Sequence, residues 1–315
     1  LRTAPFQRVV IDELAGGAAA FKNRLSAWLA RSAVARGGWS TPRALGPVGP
    51  LLRAARAQPA DLTIVHNEAP HYVGTQLLAA GRRVAADIED WHSEDLLPAD
   101  RRARPLALLR RVERTLLERC VHTTTTSQAL ADGLHARYGG KRPHVISNSF
   151  PLQPAPARVA PGQPPAFFWF SQTLGPGRGL EQFFAAWGRT RNPSRVVLLG
   201  EARGTYAERL LRPLSAAHRA RVTLRPLVSP AALPAVIAEH DLGLALEQAF
   251  IVNRNLTVTN KIIQYLNAGL AVVASDTAGQ REVLARDPAA GMIVETHETT
   301  AFAARLDDLV AAPAA

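Results

Sequence analysis

Short β-branched or apolar runs alternate with longer helical patterns from one end of the chain to the other. In the first half the runs Val9–Ile11, Leu62–Val65, Val84–Asp87, Val121–Thr124 and His144–Ile146 predict strands. Helical spacing fills the gaps, as over 104–119 and 127–138. In the second half the predicted strands are Phe167–Phe170, Val196–Leu199, Val222–Leu224, Leu242–Leu246 and Ala271–Ala274, again with helices between them. A parallel crossover needs a helix-sized connection, so strand–helix alternation predicts parallel sheets covered on both faces.

Between the halves, Pro151 to Pro165 holds six prolines in fifteen residues. Proline lacks an amide donor and fixes φ, so neither a helix nor a central strand propagates there. The expected organisation is a first lobe over 1–152, a linker over 153–165 and a second lobe over 166–315. The fold class is α/β: two doubly wound, Rossmann-like lobes facing a cleft, with ligands at the carboxyl ends of the strands.

The length of 315 residues fits two domains, and 47% hydrophobic with 20% charged residues supports buried cores and excludes a disordered chain. No run approaches the roughly 18 apolar residues of a membrane span. A single cysteine, Cys120, excludes an internal disulfide framework and a thiolate zinc cluster. The chain opens at Leu1 without a secretory leader, enters a strand almost at once, and ends in a helix trailing into Ala-Ala-Pro-Ala-Ala. Trimming at both ends and a cytoplasmic location are the expectations. The net charge of +11 comes almost wholly from arginine, the lysines being Lys22, Lys141 and Lys261. Such a surface suits phosphate-rich partners.

The strongest chemical signal runs from Asn253 to Gly269. Thr257 or Thr259 caps a helix start, Ile262, Ile263 and Leu266 form its apolar stripe, and Gly269 is a left-handed stop. Lys261 and Gln264 share a face near the amino-terminal end, where free amides, the helix dipole and an ammonium suit a phosphate. The plain alternative is a solvated surface lysine. A second signal is Phe170-Ser171-Gln172-Thr173-Leu174-Gly175-Pro176-Gly177-Arg178-Gly179-Leu180-Glu181, an apolar strand entering a glycine-rich turn and then a helix. Glycines let a ligand approach the backbone, and Arg178 reaches toward a diphosphate; otherwise the turn is only structural. Gly175, Gly177 and Gly179 do not fit Gly-x-Gly-x-x-Gly, which disfavours a nicotinamide site.

Residues 170–181, 260–275 and Gly279–Leu284 resemble the donor lobe of GT-B glycosyltransferases, specifically the retaining group-1 family (family four). Thr126–Leu130 and Val145–Asn148 resemble its acceptor lobe more loosely. The resemblance covers about 60–300. It implies that Arg178 and Lys261 hold the diphosphate of a nucleotide sugar, with Gln264 near the ribose. It further implies that backbone around Leu227 and Val228 lines the base and that Glu201 lies at the nucleotide edge. Ser171, Gly177, Thr259 and Asn260 complete the donor-binding set. The family's Glu-x7-Glu pair is broken, because Gln264 holds the second position, Leu256 stands eight residues earlier, and Glu247 lies too far upstream to restore the spacing. Glutamine bonds a ribose hydroxyl without bringing charge. With trimming at both ends, the family's first strand with its acceptor loop and its final crossing helix are expected to be missing.

Transfer of a sugar leaves positive charge on the sugar and negative charge on the diphosphate, which fixed cations and dipoles offset without a metal or other cofactor. Arg178, Lys261 and one helix terminus together supply on the order of 4–7 kcal/mol.

In the first lobe, Asp87-Ile88-Glu89-Asp90-Trp91-His92-Ser93-Glu94-Asp95 follows a strand. Glu89 and Asp90 fall near the family's His-Asp pair and are candidates to orient or deprotonate the acceptor hydroxyl, with His92 beside them. A loop of capping acids is the alternative. His66 and His71 are further acceptor-side candidates. Zinc there lacks a third ligand, and a Mg²⁺ grip by Asp87 and Glu89 would suit a different fold. Arginines at 101, 102, 104, 110, 111 and 114 interleave with leucines. That stretch either rests peripherally on the inner face of an anionic membrane or packs against its own lobe. Aromatics do not interleave with the arginines, so nucleic acid is not an expected partner.

The leading expectation is a metal-independent transferase moving a sugar from a nucleotide-diphosphate donor to a saccharide or lipid-linked acceptor, in glycan or polysaccharide biosynthesis. A nucleotide-sugar epimerase of the same architecture and an inactive nucleotide-sugar-binding homologue are the alternatives.

Overall fold

The computed structural model of the chain describes residues 10–11, 17–37, 40–152 and 163–311. The chain divides into two compact units, Leu1–Ile146 and Ser147–Ala315.

The first unit runs α1 (Ala18–Gly37), α2 (Val48–Ala57), β1 (Thr63–His66), α3 (Glu68–Ala79), β2 (Val84–Asp87), α4 (Leu106–Arg119), β3 (His122–Thr125), α5 (Gln128–Tyr138) and β4 (His144–Val145). The strands form a parallel sheet in the order β1-β2-β3-β4. Strand β2 is buried except at its last residue, as a central parallel strand covered on both faces should be. The serine-led start of α5 is present: Ser127 is extended and its Oγ accepts from Leu130 N. The expected strand at 9–11 lies partly outside the described residues, and Val10 and Ile11 are not in a strand.

The second unit runs β5 (Ala166–Leu174), α6 (Leu180–Trp187), β6 (Arg195–Ala202), α7 (Tyr206–Leu211), α8 (Ala216–Arg219), β7 (Val222–Arg225), α9 (Leu233–Ile237), β8 (Leu242–Ala245), α10 (Val252–Leu256), α11 (Asn260–Asn267), β9 (Ala271–Ser275), α12 (Ala278–Leu284), β10 (Gly291–Val294) and α13 (Thr299–Ala311). The parallel sheet has the order β10-β9-β8-β5-β6-β7. Order therefore reverses between β5 and β8, the doubly wound arrangement whose switch point opens a crevice at the strands' carboxyl ends.

Alternation along the strands builds two cores. Phe167, Trp169, Leu242 and Leu244 pack with Phe183, Trp187 and Phe302 on one face. Phe168, Val272 and Ala274 pack with Ile262 and Tyr265 on the other. Gly243 allows α11 to lie flat on the sheet, because a Cβ there would meet the Tyr265 ring at 2.3 Å. The expected linker lies largely outside the described residues.

Candidate functional site

At the switch point of the second unit, β5 ends in a bulge, its register against β6 shifting between Phe170 and Thr173. Ser171 and Gln172 fall in that shift, and the glycine turn follows. Gly179 has φ +76, and a Cβ on it would sit 2.7 Å from the Leu246 Cβ. Only glycine seats this turn against the residue that follows β8. Arg254 of α10 donates to the Gly177 carbonyl and ties a third element to the turn. Arg178 is half-buried and makes no hydrogen bond or ion pair with any described residue. Arg203, exposed after β6, brings its Cδ to 4.0 Å from the Cβ position of Gly175.

Across the turn, the first residues of α11 meet the end of β8. Lys261 Nζ lies 3.1 Å from Glu247 Oε1, with side-chain exposures of 11% and 3%. The ammonium also sits 5.7 Å from the Trp169 ring centroid. Glu247 is held by its backbone amide, which donates to Ser275 Oγ at 2.7 Å, and Gln280 Nε2 donates to the same hydroxyl. Thr259 is the extended residue preceding α11, yet its hydroxyl makes no cap bond; that oxygen and Gln280 Oε1 are buried without a partner among the described residues. Asn260 Oδ1 accepts from Asn148 Nδ2 at 2.8 Å. Gln264 is half-buried on α11, Leu227 and Val228 lie in the loop between β7 and α9, and Glu201 is exposed at the end of β6.

In the first unit, Asp87 at the end of β2 is a hub. One carboxylate oxygen meets His66 Nδ1 at 2.9 Å, the other accepts from Thr124 Oγ1 at 2.8 Å, and its carbonyl lies 2.8 Å from His71 Nε2. His66 Nε2 lies 3.4 Å from Glu89 Oε2. His92 Nδ1 is 3.5 Å from Glu68 Oε1, which Arg104 also grips. Burial holds His71 neutral, lowering its pKa to about 4, and holds His92 lower still, at about 3. The loop carrying these groups is pinned from behind. Buried Glu113 of α4 accepts from Ser93 N at 2.8 Å, Ser93 Oγ at 2.6 Å and Tyr138 Oη at 2.6 Å. Asn67, between His66 and α3, has φ 70 and ψ 167, a region costly for any residue but glycine.

Residues 165–312 match the family described as Glycosyl transferases group 1, and residues 14–153 match Glycosyltransferase Family 4. The chain belongs to the group 1 glycosyltransferases. No curated protein sequence matches it. Among solved structures, HepE from Anabaena bound to UDP-glucose is 17% identical, with a TM-score of 0.65 over 85% of this chain and 73% of HepE. Sucrose-phosphate synthase from Thermosynechococcus elongatus is 15% identical, with a TM-score of 0.63 over 84% and 68%. A trehalose-phosphate synthase from Burkholderia vietnamiensis is 13% identical, with a TM-score of 0.58 over 95% and 73%. The shared fold is GT-B.

The geometry of this glycosyltransferase corrects several residue-level expectations. Lys261 is not an open ammonium; Glu247, set aside because its sequence spacing fails, is its ion-pair partner fourteen residues away. A buried ammonium needs a counter-charge, and the end of β8 is where the fold supplies one. Neither threonine caps α11 through its side chain, since Thr257 closes α10 and donates to Asn253 Oδ1 instead. Glu89 does approach His66, whereas Asp90 contributes its carbonyl to the His92 amide. Asp87 has both carboxylate oxygens engaged, one with His66 and the other with Thr124. The arginine-rich stretch packs against its own unit: Leu108, Leu109, Leu116 and Leu117 are buried, Arg101 and Arg110 bind Glu94, and Arg104 binds Glu68. Among the described residues no helix is long and apolar enough to cross a membrane. Arg203 and Arg254 were missed, because nothing in their local sequence links them to the glycine turn.

Proposed function

We propose that this transferase moves a sugar from a nucleoside-diphosphate donor, bound by the second unit, to a saccharide or lipid-linked acceptor bound by the first. The observation that carries the reading is the switch point itself. There the glycine turn that carries Arg178 packs through Gly179 on Leu246, next to the Glu247 that pairs with Lys261 at the start of α11. HepE, which shares the fold, binds UDP and UDP-glucose at its own site, and TarM has been solved with UDP and α-GlcNAc-glycerol.

In this reading Arg178 meets the diphosphate by charge-assisted hydrogen bonds and Arg203 lies on the outer side of the same turn. Lys261, already neutralised by Glu247, orients the start of α11 and adds little net charge. The charge stabilisation from Arg178 and one helix terminus then falls to about 2–4 kcal/mol, or roughly 30- to 1000-fold in rate. Ser171 and Gly177 border the phosphates, Thr259, Asn260 and Gln264 the ribose side, and Leu227 and Val228 the base, with Glu201 at the edge. The cation set does the work that a metal does elsewhere, so transfer proceeds without one, with retention at the anomeric carbon. On the acceptor side, Asp87 fixes the His66 ring, and the His66–Glu89 pair is placed to accept a hydroxyl proton.

The experiment is a thermal-shift panel of UDP, GDP, ADP and their sugars on the full chain, followed by product analysis in excess chelator. One nucleoside diphosphate and its sugar should raise the melting temperature, and turnover should persist with chelator. Stabilisation by none of them removes the donor reading; loss of turnover in chelator removes the metal-free one.

A further inference from the structure

Helix α1 is apolar on two opposite faces. Ala20, Ala27, Ala30 and Val34 are buried, and Ala30 and Val34 pack on Ala44. On the other side Phe21, Leu25, Trp28 and Leu29 are 60%, 43%, 60% and 54% exposed. At 3.6 residues per turn these four form one stripe about 100° wide along a helix about 30 Å long. The helix carries no acid. Lys22 borders one edge of the stripe, Arg24 and Arg31 the other, and Arg36 closes its carboxyl-terminal end.

Ordered packing does not explain this pattern. Two aromatic rings and two leucines facing water forfeit burial, and a contiguous exposed apolar patch marks a docking face. The charge rim decides what docks. A second copy laid on the same stripe would bring four further cations and no acid to the joint, so self-association is opposed by repulsion. An anionic bilayer satisfies both features: the rings and leucines enter the headgroup–acyl boundary, Lys22 and Arg36 reach out to lipid phosphates, and Arg31, whose Nε donates to the Ala44 carbonyl, adds positive charge at the edge. The stretch at 101–117 keeps Arg102, Arg111 and Arg114 exposed, but its Leu108, Leu109, Leu116 and Leu117 are buried, so it offers no comparable apolar stripe to insert.

We infer that α1 is the face by which the protein rests on an anionic lipid bilayer, lying in the plane of the interface. This stands apart from the donor reading, since vesicle binding is scored without turnover.

The test is co-sedimentation of the full chain with phosphatidylcholine vesicles, with and without phosphatidylglycerol. Binding should require phosphatidylglycerol, weaken with salt, and fall about tenfold or more in Phe21→Ser/Trp28→Ser, both positions being exposed. Of the other tryptophans, Trp91, Trp169 and Trp187 are buried. Trp39 lies outside the described residues, so emission is read in a Trp39→Phe background, where a blue shift on vesicles should be lost on adding Trp28→Phe while sedimentation remains. No phosphatidylglycerol-dependent binding, or undiminished binding by the double variant, overturns the inference. So does a dimer by light scattering that the double variant dissociates.

Discussion

Lys261 Nζ lies 3.1 Å from Glu247 Oε1, and the pair is buried at the end of β8, where the glycine turn after β5 packs. The ammonium that looks like a phosphate ligand in the sequence is thus first a structural cation. Its stable placement depends on a carboxylate from another element.

Removing one partner leaves the other charge buried alone. Glu247→Gln and Lys261→Met should each lower unfolding stability by about 3–5 kcal/mol, whereas the double variant should lose clearly less than their sum. Urea titrations of the four proteins check this, and additive losses would show that the pair is not coupled.

Asn67 holds a backbone conformation that suits glycine, between His66 and α3. Asn67→Gly should stabilise the fold by about 1 kcal/mol in urea, because the strain is relieved by more than the added chain entropy costs. A destabilised variant would mean that the side chain holds the turn.

The neutral state of His71 and His92 makes stability pH-dependent. The folded rings titrate at about 4 and 3, but in the unfolded chain they titrate at the ordinary 6.5. As pH falls below about 6.5 the unfolded state binds more protons, so stability is full above that value and lost progressively toward pH 4. His71 alone contributes about 3 kcal/mol of this loss. Melting temperatures from pH 7.5 to 4.5 should show the decline, flattened in His71→Gln, which keeps a donor for the Asp87 carbonyl.

Glu113 holds the loop after β2 through Ser93, and in the proposed reading it is a positioning residue for the acceptor side. Glu113→Ala should cost about 2–4 kcal/mol of stability by orphaning the Ser93 and Tyr138 donors. It should also lower kcat while leaving nucleoside-diphosphate affinity unchanged. Equal loss of both would make its role general.

The strands read from apolar runs, and Phe167–Phe170, Val196–Leu199 and Ala271–Ala274 stand where alternation placed them, because buried parallel strands leave continuous apolar sequence. Strand β10, Gly291–Val294, leaves only a three-residue apolar run after a glycine, too short to mark a strand by itself. The glycine turn and Gly269, with φ 76, were legible for a local reason: left-handed backbone selects glycine. The site pairs were not. Lys261–Glu247 spans fourteen residues, and His66–Asp87 spans twenty-one. Each is set by which strands lie side by side, and periodicity along one element carries no record of that. Even α1 misleads by its pattern, since apolar residues on both faces cancel the amphipathic signal.

The central claim is that the uncommitted guanidinium of Arg178 meets a diphosphate at the β5–β8 switch point. Calorimetric titration of the wild-type chain and Arg178→Ala with whichever of UDP, GDP or ADP stabilises the protein tests it most directly. The account predicts about tenfold or greater weakening in the variant, in keeping with one lost charge-assisted bond. Equal affinity in the two proteins would contradict it.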